Sequence, residues 1–219
     1  MTPPTLLVAD DHPLFRAAVL HALTTRFPGV VTAEASSVST LGAALEAHPD
    51  VSLVLLDLAM PGARGLSALA LLRGERADLP VVVISSNDDP RVIRRAQQFG
   101  AAGFIPKSSQ VETIGEAVET VLAGGTWFPP LTAARSEEDA QLAARFAQLT
   151  PQQFRVLMLL AEGLLNKQIA AALGLAENTV KIHVGAVLSK LNCRSRTQAA
   201  VMVRSLELDD VPAADDALS

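Results

Sequence analysis

Five side chains in the first half of this sequence could together place phosphate on a carboxylate: Asp10, Asp11, Asp57, Ser85 and Lys107. Clustered carboxylates repel one another and are costly to hold together unless a cation joins them. An all-oxygen donor set with room for water favours Mg2+. A metal at Asp11 and Asp57 would shield an incoming phosphate dianion. Asp57 could then attack phosphorus as a carboxylate nucleophile, giving an acyl phosphate. Lys107 would pair with the phosphate oxygens, and the Ser85 hydroxyl would donate to them. Each residue alone has a plainer explanation. An Asp at a strand end is often only a helix cap, and a lone lysine is most often a solvated surface group.

The joint pattern depends on the elements that carry these residues. Residues 5–9, 30–35, 52–57, 81–85 and 102–105 read as strands, and residues 14–26, 38–47, 66–73, 90–99 and 111–123 as helices. The apolar runs of the third and fourth strands barely alternate, which indicates burial on both faces. Strand–helix alternation gives a doubly wound α/β unit with a parallel five-stranded sheet. Ligands of such sheets sit at the carboxyl ends of the strands. The five residues therefore converge on one rim.

At 219 residues and 49% hydrophobic content, the chain can bury a core for one large or two modest domains. The single cysteine, Cys193, cannot close an internal disulfide. No stretch is long and apolar enough to span a bilayer, and the N-terminus lacks a secretion signal, so the cytoplasm is the expected location. The net charge of −5 averages over unequal parts. Between residues 151 and 206 the bases are Arg155, Lys167, Lys181, Lys190, Arg194, Arg196 and Arg204, and the acids only Glu162 and Glu177. A basic unit on an acidic remainder suits a phosphate-backbone partner for that unit alone, although a solvated basic face would look the same.

Gly124-Gly125 ends the first unit, and residues 124–148 read as a linker with a short helix near its end. Thr150 is a good N-cap and Pro151 suits the first helical turn. Apolar residues then mark a helix from Pro151 to Ala161, a second helix that Asn166 could cap, a tight turn at Gly174, and a longer helix from Glu177 to Leu191. That last helix turns Val180, Val184, Val187, Leu188 and Leu191 inward and offers Thr179, Lys181, His183 and Lys190 on its other face. Two helices across a Gly-containing turn, the second polar on one side, can enter a major groove. An ordinary helical hairpin would show the same periodicity. A short helix follows at about residues 197–206, then an acidic tail at 208–219.

The strings VADDHPLFR, LLDLAMPGARGL, VVVISS and GAAGFIPKS resemble the receiver domain of bacterial two-component response regulators. AEGLLNKQIAAALGL, ENTVKIHV and KLNCRSRTQAA resemble the LuxR-type helix-turn-helix, so the whole chain resembles the NarL/FixJ class. The resemblance implies a flavodoxin-like receiver at 1–123, a linker at 124–148 and a small all-α DNA-binding domain at 149–207. It implies that Asp57 accepts a phosphoryl group from a sensor histidine kinase. Asp11, Asp57 and the backbone carbonyl of Ala59 would ligate Mg2+, with Asp10 helping directly or through water. Ser85 would move towards the phosphate and Phe104 would rotate with it. Glu177 to Leu191 would be the recognition helix on double-stranded DNA. Lys181, Ile182 and His183 would face the bases, and Asn166, Lys167, Thr179 and Lys190 would mostly grip phosphates. The active form would be a homodimer, with Ala200, Val201 and Val203 as candidate contacts and RNA polymerase as a further partner. The unphosphorylated receiver would dock on the recognition helix.

This sequence departs from the pattern at several positions. Ser85 stands where many relatives have Thr, and Gln152-Gln153 where they often have Arg-Glu. Ala176 replaces a capping Ser, at a cost of about 1 kcal/mol. Gly185 lies inside the recognition helix, at a similar cost of about 1 kcal/mol. Two other functions share parts of this pattern. The receiver could be a fixed dimerisation module of a phosphorylation-independent DNA-binding regulator. A phosphatase with a carboxylate nucleophile would want a second Asp two residues past Asp57, and that place holds Ala59. No enzymatic activity is therefore expected.

Overall fold

The structure is a computed structural model that describes residues 3–130 and 137–206; the expected acidic tail lies outside them. Five strands form one parallel sheet in the order β2-β1-β3-β4-β5. They are β1 Thr5–Ala9, β2 Val31–Ala35, β3 Val51–Asp57, β4 Val81–Ser85 and β5 Gly103–Pro106. The helices between them are α1 Pro13–Arg26, α2 Val38–Ala47, α3 Ser67–Glu75, α4 Pro90–Gln98 and α5 Val111–Leu122. The sequence places β5 one residue too early and α3 one residue too early at its start. Leu66 is the N-cap of α3, with ψ at 2°, and the helix runs on to a cap at Arg76.

Every residue of β1 and β4 is buried, as their unbroken apolar runs require. Alternate residues serve opposite faces. Leu6, Val8, Leu53, Leu55, Val82 and Ile84 pack with Val19 and Leu23 of α1 and Ile114 and Val118 of α5. Leu7, Val54, Leu56, Val83 and Phe104 pack with α2, α3 and α4 through Leu41, Leu69 and Ile93. Burying such a Leu contributes about 1.5–3 kcal/mol, so both faces hold the sheet firmly between helices.

After residue 136 the chain forms α6 Glu137–Phe146, α7 Pro151–Ala161, α8 Asn166–Leu173, α9 Glu177–Lys190 and α10 Arg196–Arg204. Thr150 caps α7 in a reciprocal box. Its hydroxyl accepts from the Gln153 N–H, and the Gln153 side chain accepts from the Thr150 N–H at 3.1 Å. Gly174 closes α8 with φ at +65°, a conformation that favours glycine. Asn166 is the first residue of α8 and not its cap. Leu165 holds the cap position, and its N–H donates to Gln168 Oε1 at 2.8 Å.

The α/β unit and the helical unit share one apolar core that includes Leu72, Phe99, Phe146, Phe154 and Leu157. Phe146 of α6 stands between Phe99 of α4 and Phe154 of α7, with 6.1 Å between ring centroids on each side. Arg155 of α7 pairs with Glu75 of α3. The Leu66 N–H donates to the Leu206 carbonyl at 3.1 Å, and the Arg95 guanidinium donates to the Ser205 carbonyl. The described contacts between the two units run through α6, α7 and the end of α10. Ile182, midway along α9, remains 65% exposed.

Candidate phosphoacceptor site and nucleic-acid interface

The sheet positions the acidic site. β1 and β3 are neighbours whose following connections leave on opposite sides, so a crevice opens between their carboxyl ends. Asp10 follows β1 and Asp57 ends β3, and each side chain is almost fully buried. Lys107, just past β5, lays its ammonium 2.8 Å from Asp10 Oδ2 and 2.8 Å from Asp57 Oδ2. Burial opposes that charge, but the pairing with Asp10 and Asp57 outweighs it and holds the Lys107 pKa above its ordinary value. The ammonium also lies 4.9 Å from the centre of the Phe15 ring.

Asp57 Oδ1 accepts the Ala59 N–H at 3.1 Å, and Asp10 Oδ1 accepts the His12 N–H at 2.8 Å. One donor atom each from Asp10, Asp11, His12 and Asp57 lies within 4.8 Å of the others. Asp11 Oδ1 is buried without a well-directed hydrogen bond, although His12 Nδ1 is 2.8 Å away. Ser85 ends β4 on the same rim, and its carbonyl accepts the Lys107 N–H at 2.8 Å. Its hydroxyl accepts the Asn87 N–H at 3.1 Å and so closes the β4–α4 loop. Phe104 is fully buried in β5.

α9 carries the candidate nucleic-acid face. Lys181 and Ile182 are exposed, and Thr179 and His183 are half-buried. Lys181 lies 3.5 Å from Glu177, one turn earlier. Lys167 is exposed at the start of α8. Two of the expected phosphate-gripping residues also hydrogen-bond within the structure. Lys190 donates to the Gln148 carbonyl at 2.9 Å and to Gln153 Oε1 at 2.7 Å. Asn166 Oδ1 accepts from Arg196 at 3.1 Å, and Arg196 also donates to the Leu164 carbonyl at 2.6 Å. Of the three α10 residues expected at a dimer contact, Val203 is fully buried, while Val201 is 60% exposed.

Residues 6–119 match the family described as the response regulator receiver domain, and residues 147–203 match the bacterial regulatory proteins of the luxR family. The chain belongs to the two-component response regulators with a LuxR-type DNA-binding domain. A glycerol metabolism activator of Pseudomonas putida is 40% identical over 211 residues, covering 92% of this chain and 96% of that one. The nitrate/nitrite response regulator NarL of Escherichia coli is 35% identical over 206 residues, covering 92% of this chain and 95% of that one. The solved structure of a LuxR family DNA-binding response regulator from Silicibacter pomeroyi is 35% identical. It has a TM-score of 0.52 and covers 59% of this chain and 99% of that one.

This response regulator thus joins a receiver with an acidic pocket to a helix-turn-helix, the plan of a transcription regulator. Among its described residues, no helix is long and apolar enough to cross a membrane. Four residues near the receiver site escape a reading of the sequence. His12 joins the carboxylates, Phe15 lies beside Lys107, Arg16 donates to the Asp10 carbonyl at 2.6 Å, and Asn87 holds the Ser85 hydroxyl. The run DDHPLFR carried a signal for the first three, because residues that open a helix after a strand end face the same rim.

Proposed function

We propose that Asp57 is the phosphoacceptor of this response regulator and that its phosphorylation controls DNA binding through α9. The observation that carries this reading is the Lys107 ammonium held between Asp10 and Asp57 at 2.8 Å from each. A lysine so placed already faces the oxygen that would bond to phosphorus. In the transfer, a carboxylate oxygen of Asp57 bonds to the phosphorus of a sensor kinase's phosphohistidine. The P–N bond breaks, and its electron pair returns to the imidazole. Lys107 then turns from the Asp57 carboxylate to the phosphate oxygens and offsets the added charge, about −1.5 to −2. Ser85 exchanges its bond with the Asn87 N–H for donation to the phosphate.

Asp10, Asp11, Asp57 and the Ala59 carbonyl would hold Mg2+, which supplies neutralising charge to the clustered acids. The hard oxygen set and the buried Asp11 Oδ1 without a directed hydrogen bond fit such an ion.

Downstream, Lys181, Ile182 and His183 reach base edges of double-stranded DNA, while Lys167 and Thr179 contact phosphates. Lys190 and Asn166 brace the domain from within. Val201, 60% exposed, supplies an apolar contact to a second copy, and RNA polymerase is a further partner of the bound dimer. Residues 1–123 work as the phosphoacceptor unit, 124–148 as the connection and 149–207 as the DNA-binding unit. The cell compartment is the cytoplasm, where kinase and DNA are both within reach.

Incubation with acetyl phosphate and Mg2+, followed by intact-mass and peptide mapping, tests the chemistry. The expected result is one phosphoryl adduct on Asp57, absent from Asp57→Asn. An unmodified wild-type protein would favour a receiver that acts only as a dimerisation module.

A further inference from the structure

After α5 the chain turns at Gly124-Gly125 and returns along the outer edge of β5. Trp127 pairs there in parallel with Gly103. The Trp127 N–H donates to the Ala102 carbonyl at 3.1 Å, and the Trp127 carbonyl accepts the Phe104 N–H at 2.7 Å. The approach is close. A Cβ on Gly103 would lie 3.0 Å from the Trp127 oxygen, so this position tolerates no side chain without a shift. Trp127 packs towards the core under α1 and α5, whereas Phe128 packs towards the core on the opposite face. Successive side chains on opposite faces are the mark of a strand. The segment thus covers the edge that β5 would otherwise leave unpaired.

We propose that residues 126–128 act as an added edge strand that transmits the state of the Asp57 site to the connection with the DNA-binding domain. The inference rests on the assignment of Asp57 as phosphoacceptor. β5 carries Phe104 and leads directly into Lys107, whose N–H is bonded to Ser85. Drawing Lys107 and Ser85 towards a phosphate therefore pulls on the end of β5. The bonds from β5 to Trp127 are backbone bonds. A side-chain rotation cannot release them, so a shift of β5 is passed to Trp127. Past Phe128 the chain leads to α6, where Phe146 touches both Phe99 and Phe154.

Trp127 is the sole tryptophan of a chain that has no tyrosine, so its emission reports this segment alone. The full chain is titrated with beryllofluoride and Mg2+ while emission is recorded, and occupancy of Asp57 is followed separately by fluorine NMR. The expected result is a shift in Trp127 emission that saturates together with the Asp57 adduct and is absent from Asp57→Asn. Gly103→Ala, whose Cβ would crowd the Trp127 carbonyl at 3.0 Å and loosen its pairing with β5, is expected to form the adduct normally but to lose the gain in DNA affinity. An adduct without any emission change, or an unimpaired DNA response in Gly103→Ala, would overturn the proposal. Absence of the adduct in the wild type would instead remove the phosphoacceptor assignment, and this inference with it.

Discussion

Lys107 and Asp57 are hydrogen-bonded at 2.8 Å although fifty positions separate them in the sequence. Lys107 also faces Asp10, so one cation holds two carboxylates that would otherwise repel. Lys107→Met is expected to lower stability at neutral pH by about 1–3 kcal/mol, less than for a fully buried pair because solvent reaches the site. Chemical denaturation measures the loss, and added Mg2+ should restore part of it.

The same lysine sets an alkaline dependence. Its folded pKa lies above the ordinary 10.5, because the pairing with Asp10 and Asp57 outweighs burial. The stabilisation is therefore complete below 10.5 and is lost as pH rises through the higher folded value. Denaturation midpoints of the wild type should fall towards those of Lys107→Met on the alkaline side. Parallel curves there would contradict the pairing.

Phe146 touches aromatic rings of both units and is nearly fully buried. Phe146→Ala is expected to cost about 3–5 kcal/mol. Because the lost contacts lie between the units, calorimetry should show two transitions where the wild type, with its shared core, is expected to show one. One cooperative transition would mean that Glu75–Arg155 and the Leu66–Leu206 contact suffice to join them.

Two changes in the helical unit have opposite signs. A Cβ added at Gly185 meets nothing within 4 Å, so Gly185→Ala should stabilise α9 by about 0.5–1 kcal/mol. Thr150→Ala removes the hydroxyl that accepts the Gln153 N–H and should cost about 1 kcal/mol. Urea midpoints of the two variants should move in opposite directions.

The fold was legible because β3 and β4 are short apolar runs between helical patterns, and their ends carry Asp57 and Ser85. Local chemistry was legible too, as in the Thr150 cap followed by Pro151. What could not be read depends on distant partners. The bonds of Lys190 to Gln148 and Gln153 join residues 42 and 37 positions apart, which its place on α9 does not reveal. Asn166 has the right type for a cap, yet Leu165 holds that position because Gln168 reaches back to its N–H. The stretch around Trp127 follows two glycines and reads as linker, since its pairing with β5 leaves no local pattern.

Exposed charge on α9 and α8 should govern affinity for duplex DNA. Lys181→Ala is expected to reduce the salt slope of binding by about one unit. Arg155→Ala should leave that slope unchanged, because Arg155 faces Glu75 of the receiver. Affinity measured across a salt series distinguishes the two.

Capture of fragmented genomic DNA by the wild type and by Asp57→Asn, each with and without beryllofluoride and Mg2+, tests the central claim most directly. The account expects the wild type to gain enrichment at a defined set of sites on modification, and Asp57→Asn to show no change. The same enrichment in all four samples would contradict control of DNA binding by Asp57.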